Sequence, residues 1–285
     1  MKVVVTGASG YIGRHVVDAL IKMHHEVIAV DMINKGINTD ATFLSLDIFS
    51  DDIYNKLGRP DACIHMAWKD GFNHASDAHM GMLSKHYAFI KNMIDGGVKY
   101  LSVMGTMHEI GYYEGCVDEN TPTNPLSMYG IAKNALREAS LLLADKSDTA
   151  LMWLRAYYIL GDDSNNNSIF TKITQMEHEG KASFPFVSGK NKYDFIHVDE
   201  LAKQIATAST QSEITGIINC CSGKPVSLAD KVNEFIEKNH YSIRPDYGKF
   251  PERPYDSPAI WGDNTKINLI MEKHNDTKQC YAKNI

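Results

Sequence analysis

The chain is short of the features that define several protein classes. No apolar run approaches the ~20 residues a membrane span requires, so no membrane partner is expected. The five cysteines, Cys63, Cys116, Cys220, Cys221 and Cys280, form no C-x-x-C pair and no second pair at metal-site spacing. That argues against a disulfide scaffold or a zinc module, and predicts a reduced protein with no bound metal. Positive charge is not in excess: 29 Lys+Arg stand against 35 Asp+Glu, and no basic stripe offers itself to a nucleic-acid backbone. No internal repeat or low-complexity tract occurs. Met1-Lys2-Val3-Val4-Val5 already reads as a strand, so no leader peptide is expected and a cytoplasmic location is the simple reading.

What is present is a globular composition, 44% hydrophobic and 22% charged, long enough to bury a full core. The first half alternates short apolar runs with amphipathic stretches, the pattern of βαβ units and a parallel sheet. Strands are expected at Val3–Val5, Glu26–Val30, Ala62–Met66, Tyr100–Met104 and Leu151–Leu160, and helices at Ile12–Met23, Met82–Ile94 and Tyr129–Ala144. Beyond Gly161 the texture changes to an Asn-rich loop, and four of the nine prolines fall between Pro245 and Pro258. The expectation is a Rossmann-type, doubly wound α/β domain over residues 1–160, also receiving 190–215, and a smaller lobe made mainly from 161–285.

The segment Gly7-Ala8-Ser9-Gly10-Tyr11-Ile12-Gly13 lies between the first strand and the first helix. Glycines at this G-x-x-G-x-x-G spacing allow a tight turn and bring backbone N–H groups, with a helix N-terminus, against a pyrophosphate. Asp31 closes the second strand, where a carboxylate accepts from a ribose hydroxyl and repels a 2′-phosphate, favouring NAD over NADP. Asp47-Ile48 follows the third strand, in reach of an adenine.

Tyr129-Gly130-Ile131-Ala132-Lys133 is a Y-x-x-x-K pair, which places both side chains on one helix face. A free phenol, with a pKa of ~10, is a poor base at neutral pH, and bringing it near 7 takes about 4 kcal/mol, which a close ammonium supplies. A chain with 14 tyrosines yields about one such match by chance, and a second does occur at Tyr87–Lys91, which is read as packing. Tyr129 has better company: Thr106 follows a strand whose C-terminal end faces the ligand crevice, with its hydroxyl available to a reacting oxygen. His65 ends a buried strand and reads as a satisfied core histidine; Trp68 and Phe72 are candidate pocket aromatics, and Asn165–Asn167 with Ser168 a candidate nucleotide contact. His24-His25-Glu26 sits at a turn and is not read as a metal site.

Taken in order, Gly7/Gly10/Gly13, Asp31, Asp47-Ile48, His65-Met66-Ala67, Thr106, Tyr129/Lys133, Leu154-Arg155, Asp194-Phe195-Ile196-His197-Val198-Asp199 and Arg253-Pro254 resemble the extended short-chain dehydrogenases/reductases of the NAD-dependent epimerase/dehydratase type, which modify nucleotide-sugars. The resemblance implies NAD as cofactor and Thr106, Tyr129 and Lys133 as the catalytic triad, with Lys133 on the nicotinamide ribose. Gly7, Gly10, Tyr11, Ile12, Gly13, Asp31, Asp47, Ile48 and Ala67 would complete the cofactor site. Arg253 would hold the diphosphate of the sugar nucleotide, as a bidentate guanidinium can, and two long helices would form a homodimer. Departures are informative. The dehydratases of this family carry Asp-Glu after the active-site Thr, where this chain has Met107-His108, so dehydration is not expected. Tyr193 replaces the Arg before Asp-Phe-Ile, and Tyr157-Tyr158 stands where an Asn is usual, which disfavours the epimerase substrate. The run Met104–Tyr112 looks like that of the 4-keto-reductases that make dTDP-6-deoxyhexoses. The leading expectation is reduction of a nucleotide-linked 4-keto-6-deoxy sugar with NADH, with His108 orienting a sugar hydroxyl. A 4-epimerase with tightly held NAD, and a non-catalytic NAD-binding regulator, are the alternatives.

Overall fold

Seven parallel strands form the spine of the protein, seen in a computed structural model that describes residues 1–161, 168–252 and 256–282. In chain order the elements are β1 (Lys2–Thr6), α1 (Tyr11–Lys22), β2 (Glu26–Asp31), β3 (Thr42–Ser45), α2 (Ile53–Lys56), β4 (Ala62–His65), α3 (Ala78–Gly81), α4 (Leu83–Asp95), β5 (Tyr100–Thr106), a 3₁₀ turn (Met107–Glu109), β6 (Gly115–Val117), α5 (Met128–Ala144), β7 (Ala150–Ala156) and β8 (Tyr158–Leu160). There follow α6 (Ile169–His178), β9 (Ser183–Phe186), β10 (Lys192–His197), α7 (Val198–Ala208), β11 (Gly216–Cys220), β12 (Pro225–Ser227), α8 (Leu228–Lys238), β13 (Arg244–Tyr247), β14 (Ala259–Gly262) and α9 (Thr265–Ala282).

The large sheet has the order β11-β7-β5-β4-β1-β2-β3. Its inner strands are apolar on both faces because helices cover both. Val3, Val5, Ala29, Ile64 and Met152 pack with α1, α7 and α9, while Val4, Cys63, Leu101 and Trp153 pack with α2, α4 and α5. Chain order reverses between β1 and β4, and that is where an open parallel sheet leaves a crevice beyond its strand ends.

A smaller sheet, β12-β10-β14-β6 with β8 also paired to β10, and a two-stranded β13-β9 pair build the second lobe around a separate, aromatic-rich core. The chain passes between the two parts repeatedly: β6 belongs to the small sheet and β11 to the edge of the large one. The single strand expected over Leu151–Leu160 is in fact two. Its apolar run is continuous, but Tyr157 is buried with its phenol donating to Asn219 (3.3 Å), and the backbone turns there from the large sheet into a pairing with β10. Among the described residues no helix is long and apolar enough to cross a membrane.

Candidate active site

The glycine turn closes tightly because side chains are excluded from it. Gly7 lies at φ +69°, and a Cβ there would stand 2.7 Å from the Ala67 backbone nitrogen; one on Gly13 would stand 2.2 Å from the Gly7 carbonyl oxygen. Gly10 caps α1 in an extended conformation without a side-chain cap bond, and the helix N-terminus that begins at Tyr11 favours an anion. The Tyr11 phenol donates to the Gly161 carbonyl (2.6 Å), tying this turn to the end of β8.

Asp31 is fixed at the tip of β2: its carboxylate accepts from the Ser9 N–H (2.9 Å) and the Met32 N–H (2.8 Å). Gly7, Asp31, Asp47, Ile48 and Ala67 line one cavity of about 140 Å³ with Trp68, Phe49 and His86. The residues expected to hold a dinucleotide are therefore gathered at the switch point, and the side-chain-free turn fits its pyrophosphate.

Thr106 ends β5 and caps the 3₁₀ turn. Its Oγ1 accepts from His108 N (3.3 Å), while its own N–H donates to Glu109 Oε1 (2.8 Å), a reciprocal box that aims the hydroxyl out of the strand end. Ser127 caps α5 through Gly130 N (3.1 Å), which sets Tyr129 and Lys133 on its inward face. The Thr106 hydroxyl lies beside the Tyr129 phenol, near enough to influence its acidity. Burial pushes that phenol's pKa up, the neighbouring Thr106 hydroxyl opposes the rise and the negative charge of Glu109 adds to it, so the group stands protonated.

The Lys133 ammonium donates to the Met104 carbonyl (2.6 Å) and lies 3.8 Å over the Trp68 ring and 6.0 Å from the Tyr129 ring. Burial lowers its pKa to about 7, with Glu109 acting in the opposite direction. Thr106, Tyr129 and Lys133 are thus brought together from two elements.

The other expected residues divide. His108 packs edge-on against His74 (4.3 Å) and stands 6.2 Å from the Tyr129 ring. Arg253 and Asn165–Asn167 lie outside the described residues. Phe72 is exposed, whereas Trp68 stacks on His86 (4.4 Å) inside the site. His65 is a satisfied core histidine, bonded to Thr6 Oγ1 and His86 Nδ1 (2.9 Å each). The second Y-x-x-x-K pair is a surface feature, with Tyr87 on the outer side of α4 and Lys91 paired to Asp95. The Tyr158 and Tyr193 departures are one unit, stacked on each other at 4.1 Å.

Sequence reasoning missed His74, His79 and Glu109. His74 stacks on Tyr129 (4.9 Å, 16°) and accepts the Tyr129 backbone N–H on its carbonyl (3.1 Å). Glu109 is wholly buried, accepting from Trp153 Nε1 (2.9 Å) and Arg155 (3.3 Å) as well as Thr106 N. The Thr106-x-x-Glu109 spacing is a capping-box signal that could have flagged Glu109, whereas no local pattern marks His74 or His79, whose partners are remote in sequence.

A glycine-turned parallel sheet with a Thr–Tyr–Lys cluster at its switch point defines a dinucleotide-dependent enzyme of the short-chain dehydrogenase/reductase kind. The NAD dependent epimerase/dehydratase family model matches residues 3–221, and the chain belongs to that family. It is 44% identical over 271 residues to dTDP-6-deoxy-L-talose 4-dehydrogenase (NAD(+)) of Aggregatibacter actinomycetemcomitans, covering 92% of this chain and 99% of that one. The fold is that of UDP-glucose 4-epimerase from Thermotoga maritima (TM-score 0.80, 22% identity, 94% and 92% of the two chains). It is equally that of UDP-glucuronic acid 4-epimerase from Bacillus cereus, solved with UDP-glucuronic acid and NAD (TM-score 0.80, 20% identity, 95% and 93%).

Proposed function

We propose that the protein is an NAD(H)-dependent oxidoreductase that reduces the 4-keto group of a nucleotide-linked, dTDP-type 4-keto-6-deoxyhexose, in the supply of deoxysugar precursors. The observation that carries this reading is the 44% identity to a dTDP-6-deoxy-L-talose 4-dehydrogenase across 99% of that protein's length. The site chemistry agrees with it. With the dinucleotide held by the glycine turn and the α1 N-terminus, its nicotinamide would supply the hydride for the carbonyl carbon. The carbonyl oxygen then needs a proton, and the Tyr129 phenol, held protonated by burial, is the donor. Thr106 Oγ1, at the end of β5 beside the same phenol, would hold the reacting oxygen in line. The Lys133 ammonium stabilises the phenolate that remains, and the hydroxyls of the nicotinamide ribose are its natural further partners.

Gly7, Gly10, Tyr11, Ile12 and Gly13 would hold the pyrophosphate and Asp47, Ile48 and Ala67 the adenosine half. The fixed Asp31 carboxylate would accept from the adenosine ribose and repel a 2′-phosphate, which makes NADH the preferred form. His108 and Arg253 are assigned to the sugar nucleotide, and the lobe beyond residue 161 to its binding. Met80, Leu83, Tyr87, Ala135 and Leu136 line an apolar groove between α4 and α5, which supports a homodimer through these helices. A cytoplasmic location accords with its free cysteines.

The decisive experiment is to add a dTDP-4-keto-6-deoxyhexose to the protein with NADH. The expected result is stoichiometric loss of NADH absorbance and a 4-hydroxy product by NMR. Conversion without net NADH consumption would instead mean a 4-epimerase.

A further inference from the structure

We propose that Trp68, locked in its rotamer by His79, is the positioning residue that holds Lys133 as an ammonium beside Tyr129. The inference rests on Lys133 acting as the charged partner of the phenol, as set out above. Its basis is a chain of contacts that leaves the indole little freedom.

The Lys133 Nζ lies 3.8 Å from the Trp68 ring centroid, inside the ~6 Å range in which an indole face attracts a cation. Backbone provides one further anchor, the Met104 carbonyl at 2.6 Å. Trp68 itself donates through Nε1 to His79 Nδ1 (3.0 Å), and His79 Nε2 meets the Asn73 carbonyl (2.8 Å). An indole N–H only donates and a carbonyl only accepts. His79 must therefore be neutral, with its one proton on Nε2 directed at Asn73 and a lone pair on Nδ1 facing Trp68. His86 stacks on the same indole at 4.4 Å and 20°, and the Tyr129 ring meets it edge-on at 6.2 Å and 71°. The aromatic wall thus touches both members of the Y-x-x-x-K pair.

Lys133 needs this support because little else around it favours a charge. It is buried, and burial draws its pKa down to about 7. The titratable groups around it are Glu109 of the 3₁₀ turn, which acts to keep it charged, Tyr129 on its own helix, and the neutral imidazoles of His65 on β4 and His86 on α4. Without the indole face the ammonium would rest on the Met104 carbonyl and the field of Glu109, and would lose its proton at lower pH.

The test compares Trp68→Leu, Trp68→Phe and His79→Leu with the parent protein. Turnover of the 4-keto substrate with NADH is followed across pH, NADH affinity by calorimetry, and folding by circular dichroism. For Trp68→Leu the alkaline limb of the rate profile is expected to move down by about one pH unit, a roughly tenfold loss of rate above it. Because Trp68 also lines the cofactor cavity, rates are compared at saturating NADH, so that the position of the limb, not cofactor occupancy, is read. Trp68→Phe, which keeps a weaker ring face, and His79→Leu, which keeps the indole but frees it, should fall between. An unmoved limb in folded Trp68→Phe and His79→Leu proteins would overturn the proposal, whether or not Trp68→Leu folds. Lys133→Met separates the two readings. If it retains turnover, the assignment of the site fails and this inference with it; if it abolishes turnover while the limb stays put in the Trp68 variants, only this inference fails.

Discussion

Glu109 is the residue whose loss should be felt most widely, because one buried carboxylate serves four partners. Its Oε1 accepts from Thr106 N (2.8 Å) and Trp153 Nε1 (2.9 Å); its Oε2 faces Arg155 (3.3 Å) and the Arg137 guanidinium (3.6 Å). Arg155 and Glu109 are both fully buried. Glu109→Gln keeps an acceptor for the two N–H groups but removes the charge opposite the guanidinium. Arg155 is then left with the Asp118 carbonyl (3.3 Å) and Asn219 Oδ1 (3.5 Å). Breaking a buried pair in this way costs about 3–5 kcal/mol. Glu109→Ala also orphans the Thr106 and Trp153 donors, at roughly 1–3 kcal/mol each. Urea denaturation followed by circular dichroism, with unchanged m-values, should therefore rank the parent above Gln and Gln above Ala. The Thr106 cap loosens in both variants, so kcat should fall in whatever protein remains folded. A loss below about 1 kcal/mol in both variants would refute the reasoning, since it would mean that the arginines are satisfied without the carboxylate.

Other perturbations have equally definite outcomes. Tyr129→Phe should lower kcat by roughly 10²–10⁴, the usual range for a lost proton donor, while calorimetry shows NADH still bound. His65 and His86 are buried with pKa values drawn down by burial, His86 to about 3, from an unfolded value of 6.5. The unfolded chain thus takes up protons that the folded one refuses, so stability is full above pH 6.5 and lost as pH falls toward the folded values. The pair should cost about 3 kcal/mol between pH 6.5 and 5, read as a shift in urea midpoint, and His86→Phe should flatten that slope. Gly13→Ala should cost about 1–3 kcal/mol and weaken NADH binding at least about tenfold, because its Cβ meets the Gly7 carbonyl oxygen at 2.2 Å. Asp31→Asn should narrow the preference for NADH over NADPH in KM, by removing a charge from the adenosine ribose position.

What the amino-acid sequence determined by itself was everything carried by neighbours along the chain. Apolar periodicity marked β1, β2, β4, β5, α1, α4 and α5 to within a few residues, since an element's period is a local property. The glycine turn was legible because a tight strand-to-helix connection leaves no room for Cβ atoms, and Y-x-x-x-K because a helix brings residues four apart to one face. Where the decision depended on distant partners, only the tertiary structure made it. The apolar run 151–160 gives no sign that Tyr157 is where the chain leaves one sheet for another, because Asn219 and β10 attract it from afar. Glu109 stands one residue beyond the expected acid position, and its role appears only when Trp153 and Arg155 converge on it from β7. Trp68, His79 and Lys133 belong to three segments, and their order in the chain says nothing of an ammonium resting on an indole. Side-chain chemistry of this kind is set by which surfaces the core presses together, and the folded sheet brings those segments to one strand end.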